Sequence, residues 1–330
     1  MLLYPIKLRP HLAKRVWGSS DWAQSYLKES QDCSSVGEIW NVYGECLVAE
    51  GAYEGLTLDS LYCQFPRELG FTTESPHFPL LIKWLRAQRW LSLQVHPDTE
   101  LARELTGRND VLGKTEAWYV TQAQPDAELI LGVHPQIGFA EFLQSKGREW
   151  LDLVERVCPK VGDCYNITPG TIHALGPGVT VLEVQQSSNL TYRLYDWDRL
   201  GLDGKPRELH LQEAQAVLKR HWQANCEAGK AQETELAYAY PKLEGRSLVV
   251  SKFFRMELFD KAGSLHWQTS LSQPEILICV KGKAEAAVSG NCTDLSLGEA
   301  CIMAAGGAEI TVNLNEESQL IRVTQPQVKS

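Results

Sequence analysis

Short runs in which apolar and polar residues alternate fill much of the first two hundred positions, and turn residues separate them. Alternation of this kind is typical of β-strands that bury one face. Two such runs, at 117–123 and 127–133, flank the turn residues Gln124, Pro125 and Asp126 and predict a strand pair. Further extended segments are predicted at 37–43, 79–85 and 91–96 and within 163–186.

Four other stretches carry apolar residues at helical spacing. One of them begins at a capping residue, Asp98, and ends at Gly107, as short helices commonly do. Another contains Gly147, which divides it into two helices. We therefore expect helical insertions at about 57–66, 98–107, 138–158 and 208–222.

The pattern changes after residue 222. Residues 223–245 are polar and poorly periodic, which is typical of a linker. Beyond them the chain contains only strand-like runs with glycine turns, at a spacing of roughly 8 to 12 residues that is typical of β-sandwiches and barrels. The sequence thus predicts a larger domain at 1–230, with the helical insertions, and a separate β-barrel domain at 240–330.

The chain of 330 residues has a formal net charge of -9. An acidic balance argues against a nucleic-acid partner or an anionic membrane surface, but it permits a local basic pocket for a small anion. Any phosphate site must therefore be local. Pro5, Lys7 and Arg9 interrupt the apolar start, so we expect no signal peptide or anchor there. No later window approaches the ~18 to 20 apolar residues of a membrane span.

Nine cysteines are scattered along the chain without a C-x-x-C pair. An odd number of cysteines without an export signal indicates reduced thiols, and the paired spacing of a cysteine zinc site is missing. We therefore expect a cytoplasmic protein with free cysteines.

The segment at 91–96 carries candidate metal ligands on one face. Strand alternation places Gln94 and His96 on one side, and leucine and valine on the other. Glu116 and His173 also lie in strand-like segments beside turns, so the four side chains form a mixed nitrogen and oxygen set suited to Zn²⁺ or a similar divalent ion. From residue types alone, the alternative that these histidines are core or strand-end residues stays open.

Several longer motifs span most of the first 200 residues, at VWG (16–18), GEIW (37–40), 79–98, 113–120 and 169–199. In sequence and in order they resemble the motifs of type I mannose-6-phosphate isomerases of the short bacterial kind. The resemblance implies a mainly β fold with helical insertions, in which a cupin (jelly-roll β-barrel) catalytic domain carries the metal and a second β-barrel is metal-free.

The resemblance implies a function and a ligand set. It identifies Gln94, His96, Glu116 and His173 as the ligands of one zinc ion per chain. It also implies interconversion of mannose 6-phosphate and fructose 6-phosphate through a cis-enediol, an aldose-ketose isomerisation that needs no redox cofactor.

Three basic residues are candidate catalytic or substrate-binding groups. Arg193 matches the arginine of the family's active site, and Lys114 resembles a lysine at its substrate pocket, so both are expected to act in catalysis and substrate binding. Lys83 lies in an apolar run, where a lysine must reach water or meet an anion, and is a candidate for phosphate contact. The alternative for Arg193 is an ion pair with Asp196 or Asp198.

Other residues receive weaker assignments. Glu38 is expected to support the barrel first and to line the pocket second, and His134 and His266 are expected to lie outside any metal site. Two other functions remain open, a metal-dependent cupin oxygenase and a non-catalytic sugar-phosphate sensor. The chain is expected to be a monomer or a homodimer, and the group that moves the proton stays open, with Asp196 among the candidates.

Overall fold

The computed structural model describes residues 4–19, 22, 34–70, 77–228 and 245–325. Strands account for most of the regular structure in these ranges. The first twelve are β1 Ile6–Lys7, β2 His11–Ser19, β3 Val36–Val42, β4 Leu80–Arg86, β5 Leu93–Val95, β6 Glu116–Ala123, β7 Leu129–Val133, β8 Val154–Val157, β9 Cys164–Ile167, β10 His173–Leu175, β11 Val179–Gln186 and β12 Tyr192–Tyr195. The remaining strands are β13 Arg246–Val250, β14 Arg255–Phe259, β15 Gly263–Gln268, β16 Glu275–Lys281, β17 Lys283–Val288, β18 Asn291–Ser296, β19 Ala300–Met303, β20 Glu309–Leu314 and β21 Gln319–Thr324.

The described helices are short and occur where the sequence breaks its alternation. Thr57 caps the first, because its Oγ1 accepts a hydrogen bond from the backbone of Ser60 at 3.1 Å. Asp98 caps the second in the same way, through Leu101 N at 2.8 Å, and Gly107 ends it in the left-handed conformation. The helices are α1 Leu58–Gln64, α2 Thr99–Thr106, α3 Phe139–Gln144, α4 Leu211–His221 and α5 Gln223–Glu227, together with a 3-10 helix at Gly147–Asp152.

Two predicted elements differ from the structure. The helical stretch expected at 138–158 ends early, because residues 154–157 form β8 and pair antiparallel with β7. The strand pair expected from 117–123 and 127–133 does not form. Instead β6 pairs with β11 and β9, while β7 pairs with β10 and β8, so the turn between β6 and β7 carries the chain from one sheet to another. Pairing with distant strands outweighs the local pattern in both cases.

The stretch expected to be a linker begins as a helix, α5. Its buried Asn225 is bound to the loop before β10, as described below, which gives this segment a packing role. Residues 229–244 of the same stretch lie outside the described residues.

The chain divides into two compact units whose paths interleave. Unit I comprises Leu12–Ile39 and Lys83–Ala231, and unit II comprises Met1–His11, Trp40–Ile82 and Gln232–Ser330. The contiguous domains expected at 1–230 and 240–330 therefore differ in path from these units, because segments early in the chain are bound to the C-terminal strands. Within unit II, Asn41 Nδ2 donates to Gly298 O at 2.6 Å and Ala305 N donates to Glu68 O at 2.7 Å.

Two sheets carry the candidate site. One has the strand order β2-β3-β4-β11-β6-β9 and the other the order β12-β5-β10-β7-β8. In unit I, apolar residues of β5, β7, β10 and β12 pack against the buried face of α4, where Ala214, Val217 and Leu218 are fully buried. This core holds the short strands β5, β10 and β12 in place, and these are the strands that bear the site residues.

Unit II contains a sheet of order β1-β19-β16-β21-β14-β13 and a four-stranded sheet of order β15-β20-β17-β18. A buried arginine, Arg322, lies among these strands with 2% of its surface exposed. Its guanidinium donates to Glu257 Oε2 at 2.6 Å and to Glu275 Oε2 at 3.4 Å, and it lies over the rings of Phe259 and Trp267. Arg255 also lies 2.8 Å from Glu257 Oε1, so two arginines balance the negative charge of the two buried acidic residues.

We expect Arg322→Met to lower the free energy of unfolding by about 3 to 5 kcal/mol, because buried Glu275 loses the guanidinium beside it and Glu257 keeps only Arg255. Urea denaturation measures the change. Lys281→Met is the control, since Lys281 is exposed and lies 3.8 Å from Glu317, and an exposed pair is worth only about 0 to 1 kcal/mol. Equal effects of the two substitutions would contradict the prediction.

The described cysteines, at positions 46, 63, 158, 164, 226, 279, 292 and 301, are all free of disulfide bonds. Among the helices that the structure describes, none has the length and apolar character needed to cross a bilayer.

Candidate functional site

Neighbouring strands of the five-stranded sheet bring three predicted site residues side by side. Gln94 lies in β5, and its register partners are His173 in β10 on one side and Arg193 in β12 on the other. His173 and Arg193 follow Gln94 by 79 and 99 positions in the sequence, and strand pairing brings them beside it. His96 follows directly after β5, so the same strand supplies a second candidate ligand.

Glu116 reaches this group from the other sheet, where it is the first residue of β6. Its Oε1 lies 3.2 Å from His173 Nε2, and its Oε2 lies 3.7 Å from His96 Nε2. All three side chains are at most 1% exposed. One ligand atom from each of His96, Glu116 and His173 lies within 4.8 Å of the others, a separation that one metal ion can bridge.

Backbone carbonyl groups hold both imidazole rings so that Nε2 of each faces the carboxylate of Glu116. His96 Nδ1 donates to Leu190 O at 2.9 Å, and His173 Nδ1 donates to Thr171 O at 2.9 Å, since a carbonyl can only accept. A ring held in this way presents the lone pair of Nε2 when it is neutral, and His96 Nε2 is buried without a hydrogen-bond partner among the described residues. Orientation of this kind is what metal-binding histidines require.

The loop before His173 is held by Asn225 and by a glycine. Asn225 Oδ1 accepts from Ile172 N at 2.7 Å, and its Nδ2 donates to Gly170 O at 2.8 Å. Gly170 has φ +86°, and a Cβ there would lie 2.2 Å from the Cβ of His221, so only glycine fits. Because Gly170 N also donates to His96 O at 2.9 Å, this loop joins the two histidine segments.

Gln94 lies at the edge of the group. Its Nε2 is 3.1 Å from His173 Nε2, while its Oε1 accepts from Ser92 Oγ at 3.1 Å. A half-turn of the amide exchanges the two atoms and directs the oxygen toward the histidine side. Two imidazole nitrogens, a carboxylate and an amide oxygen fit a borderline divalent ion such as Zn²⁺ and leave coordination positions for other ligands.

Electrostatics favour the charge states that bind a metal. Burial, and then the charge of Lys114, hold the pKa of His96 well below its usual value, so the ring is neutral. Burial alone would raise the pKa of Glu116, but Lys114 and the two histidines outweigh it and hold that pKa well below its usual value. The site thus offers the neutral imidazole of His96 and an ionised carboxylate.

Lys114 lies beside the candidate ligands. Its Nζ is 2.7 Å from Glu116 Oε2 and 3.5 Å from Glu183 Oε1, and it is buried. Burial lowers the pKa of Lys114, but the two carboxylates outweigh burial and raise it above its usual value. Lys114 therefore carries a positive charge next to the ligands.

A row of alternating charges continues from Lys114 across neighbouring strands of the six-stranded sheet. Lys83 in β4 lies 3.2 Å from Glu183 in β11 and 3.8 Å from Glu38 in β3. Glu38 in turn lies 3.0 Å from Arg15 in β2. Lys83, Glu183 and Glu38 are all buried, so each cation faces a carboxylate that balances its charge.

This row changes how two residues are understood. The anions that Lys83 meets inside the protein are carboxylates, and its predicted contact with phosphate stays a prediction. Glu183 was not identified from the sequence, although a glutamate in the apolar run of β11 is as unusual as a lysine in β4. Burial and then the charge of Glu116 raise the pKa of Glu183, while Lys83 and Lys114 oppose the shift.

Arg193 is not paired with either aspartate that the alternative offered. Asp196 is bound by Arg199 and Arg207, at 2.9 Å from the first and 2.7 Å from Nε of the second, and Asp198 accepts from the hydroxyl of Tyr195. The Arg193 side chain makes no ion pair or hydrogen bond with any residue that the structure describes, and its Nε is buried. Burial, and then repulsion by Arg207, lower its pKa.

Histidines outside the group have other partners. His134 Nδ1 lies 2.6 Å from Glu155 Oε2 in a partly exposed pair, and His266 Nδ1 lies 3.1 Å from Thr311 Oγ1. Neither belongs to a cluster of metal-ligand geometry in the described ranges.

Comparison with known sequences identifies the family of the chain. Residues 6–116 match the family model for the phosphomannose isomerase type I catalytic domain. A mannose-6-phosphate isomerase of Streptococcus mutans is 36% identical over 281 residues, which cover 84% of each chain.

Solved structures extend the similarity to the whole fold. The mannose 6-phosphate isomerase of Bacillus subtilis superposes with a TM-score of 0.80 at 28% identity, covering 97% of this chain and 99% of the other. A zinc-bound mannose 6-phosphate isomerase superposes with a TM-score of 0.69 at 18% identity over 98% of this chain and 100% of the other, which shows a shared fold. The fold is therefore the cupin fold, and the chain belongs to the type I mannose-6-phosphate isomerase family.

Proposed function

We propose that the chain is a zinc-dependent aldose-ketose isomerase that interconverts mannose 6-phosphate and fructose 6-phosphate. The observation that carries the proposal is the convergence of His96, Glu116 and His173 beside a cationic Arg193 that has no partner in the described residues. A buried ligand group next to a cation without a counter-ion fits an anionic substrate that approaches a metal. Membership of the family supports the same reaction.

The ligand set that we propose is Gln94, His96, Glu116 and His173, holding one zinc ion. The donor types, the buried Nε2 of His96 and the zinc in a protein of the same fold support it. When bound, zinc would act as a Lewis acid toward the carbonyl and hydroxyl oxygens of the sugar and would orient them. No redox cofactor is required, since isomerisation oxidises one carbon and reduces its neighbour within the same molecule.

Lys114 and Arg193 are proposed to stabilise negative charge. Aldose-ketose isomerisation through a cis-enediol moves a proton between C1 and C2, and negative charge develops on oxygen as the C–H bond breaks. Lys114 holds its proton because two carboxylates raise its pKa, so its Nζ can donate a hydrogen bond to that oxygen. Arg193 supplies a second, planar cation that is poorly suited to act as a base.

Asp196 fits a structural role better than that of a base. It is buried between Arg199 and Arg207, and although burial raises its pKa, the hydrogen bonds from these arginines outweigh burial and lower it. A carboxylate that accepts from two guanidinium groups is a weak base.

Substrate phosphate is proposed to bind near Arg193, with Lys114 and Lys83 as the other candidates. Arg193 is the strongest of the three, because the charges of both lysines already face buried carboxylates at 2.7 Å and 3.2 Å. A guanidinium also presents two parallel N–H groups to a phosphate.

The small phosphosugar is the proposed partner, and the cytoplasm is the proposed compartment. The net charge of -9 and the free cysteines of the described residues support these two assignments. The proposed assembly is a monomer or a homodimer.

We expect chelation of the purified protein to abolish formation of fructose 6-phosphate from mannose 6-phosphate, and added zinc to restore it, because the proposed Lewis acid would be removed and replaced. A coupled spectrophotometric assay measures the turnover, and elemental analysis measures the zinc. A folded, zinc-loaded protein that binds mannose 6-phosphate without converting it would instead support the sensor function. Oxygen consumption dependent on iron would support the oxygenase.

A further inference from the structure

β12 is the last strand of its sheet, and His210 forms hydrogen bonds with its outer edge at one residue, Arg193. The strand order ends at β12, so its outward backbone groups have no neighbouring strand. At Arg193 the main chain of His210 supplies one partner, as His210 N donates to Arg193 O at 2.9 Å. The ring supplies the other, because Arg193 N donates to His210 Nδ1 at 3.3 Å. His210 thus holds both backbone polar groups of Arg193.

This contact explains the closeness of Arg193 to the ligand group. Since Arg193 directs its N–H and C=O outward to His210, its pairing with Gln94 is of the kind without hydrogen bonds between the two residues. In such pairs the Cα atoms are nearest, about 4.5 Å apart, and the side chains are close. The hydrogen bonds with His210 therefore hold the backbone of Arg193 in the orientation that places its side chain beside that of Gln94.

The side chain of Arg193 depends on this backbone support. A guanidinium is usually oriented by its own ion pair or hydrogen bonds, and Arg193 has neither among the described residues. Its direction is consequently set by its backbone and by packing. A shift of β12 at this point would move the guanidinium directly.

His210 also occupies a position where another residue would suit the helix better. It is the N-cap of α4, yet its side chain makes no capping hydrogen bond. Serine, threonine, aspartate or asparagine is preferred at this position. The ring of His210 instead serves Arg193, and a residue that breaks a local preference in this way indicates a functional demand.

We propose that His210 is a positioning residue for the isomerisation, whose neutral imidazole holds the backbone of Arg193 so that the guanidinium faces the substrate. The proposal rests on the proposed function. It requires the tautomer with the proton on Nε2, since Nδ1 must accept from Arg193 N–H.

Protonation of His210 would disrupt the contact. The charged ring has N–H donors at both nitrogens, so Nδ1 would face the N–H of Arg193 with a proton of its own. The charged groups around the ring are Arg193 on β12, Glu208 before α4 and Glu213 within it, and the ring of Tyr192 lies 5.9 Å away. Burial, and then Arg193, lower the pKa of His210 from its usual value, so the neutral form prevails down to below about pH 6.5.

The experiment compares His210→Ala with His210→Asn. Alanine removes the acceptor, and we expect kcat/KM to fall about 10- to 100-fold, because a misplacement of about 1 Å can cost about 100-fold. Asparagine places an amide oxygen near the position of Nδ1, so it should recover most of the loss. The asparagine variant cannot titrate, so the fall in activity toward acid pH that His210 contributes should also disappear. His266→Ala is the control for loss of a histidine outside the candidate site.

A double-mutant cycle separates positioning from general stability. If His210 acts through Arg193, adding His210→Ala to Arg193→Ala should cause no further loss of activity. Zinc affinity and the thermal midpoint of His210→Ala should stay at their wild-type values. Provided that the wild-type enzyme turns over, three results would overturn the inference. These are additive losses in the cycle, equal losses in the alanine and asparagine variants, and wild-type activity in His210→Ala. An inactive wild-type enzyme would overturn the proposed function and the role of His210 with it.

Discussion

His96→Ala should remove bound zinc and reduce turnover of mannose 6-phosphate by about 1,000-fold or more. The imidazole is a proposed ligand, its Nε2 is buried without a hydrogen-bond partner in the described chain, and no other described side chain replaces it. Loss of a metal's charge stabilisation costs several kcal/mol, and each 1.36 kcal/mol is about tenfold in rate. Elemental analysis and the coupled assay measure the two effects, and circular dichroism checks that the variant is folded.

The matched control for this variant is His134→Ala. His134 and His96 each lie in a Val-His-Pro tripeptide, but His134 pairs with Glu155 in a partly exposed position. The His134→Ala protein should keep its zinc and its activity. A His96→Ala protein that retained stoichiometric zinc and wild-type turnover would remove His96 from the ligand set.

The second large effect is expected from Arg193→Ala. Removing a group that stabilises developing negative charge typically costs about 100- to 1,000-fold in kcat. Arg193→Lys should recover only part of the loss, since an ammonium lacks the planar pair of N–H groups. Zinc content should stay unchanged in both variants, because Arg193 is adjacent to the ligands without being one of them. Steady-state kinetics with both sugar phosphates measure the losses.

Arg108→Ala provides the control for loss of an arginine. Arg108 forms an exposed pair with Asp110 at 2.6 Å, in the segment between α2 and β6. Its removal should leave kcat/KM unchanged. If Arg193→Ala behaved like Arg108→Ala, the assignment of Arg193 to the substrate would be wrong.

Alternation along 91–96 was enough to place Gln94 and His96 on one face, because successive side chains of a strand point to opposite faces. It was not enough to identify what surrounds them. The register that sets His173 and Arg193 on either side of Gln94 depends on strands far apart in the chain, and a local pattern carries no information on such partners. The motifs shared with the family supplied that information in advance.

Charged residues in apolar runs were recognisable, but their partners were not. Lys83 was expected to reach water or meet an anion, and in the structure it meets Glu183 and Glu38. Each of these residues looks isolated in its own strand, and only the order of strands in the sheet joins them. The role of Asn225 was missed for a similar reason, because its polar segment resembles a linker and its contacts with Gly170 and Ile172 lie more than fifty residues away.

The interleaved path of the two units sets an order for folding during synthesis. Residues 40–82 leave the ribosome before unit I is complete, yet the partners of Asn41 and Glu68 are Gly298 and Ala305, near the end of the described chain. The larger segment of unit I, Lys83–Ala231, is synthesised in between, and closing so long a loop costs only modestly more than closing a short one. The unit that holds the ligands can thus reach its native state first, while residues 40–82 stay exposed until the last strands arrive. Chaperone binding during translation should therefore concentrate on that early segment.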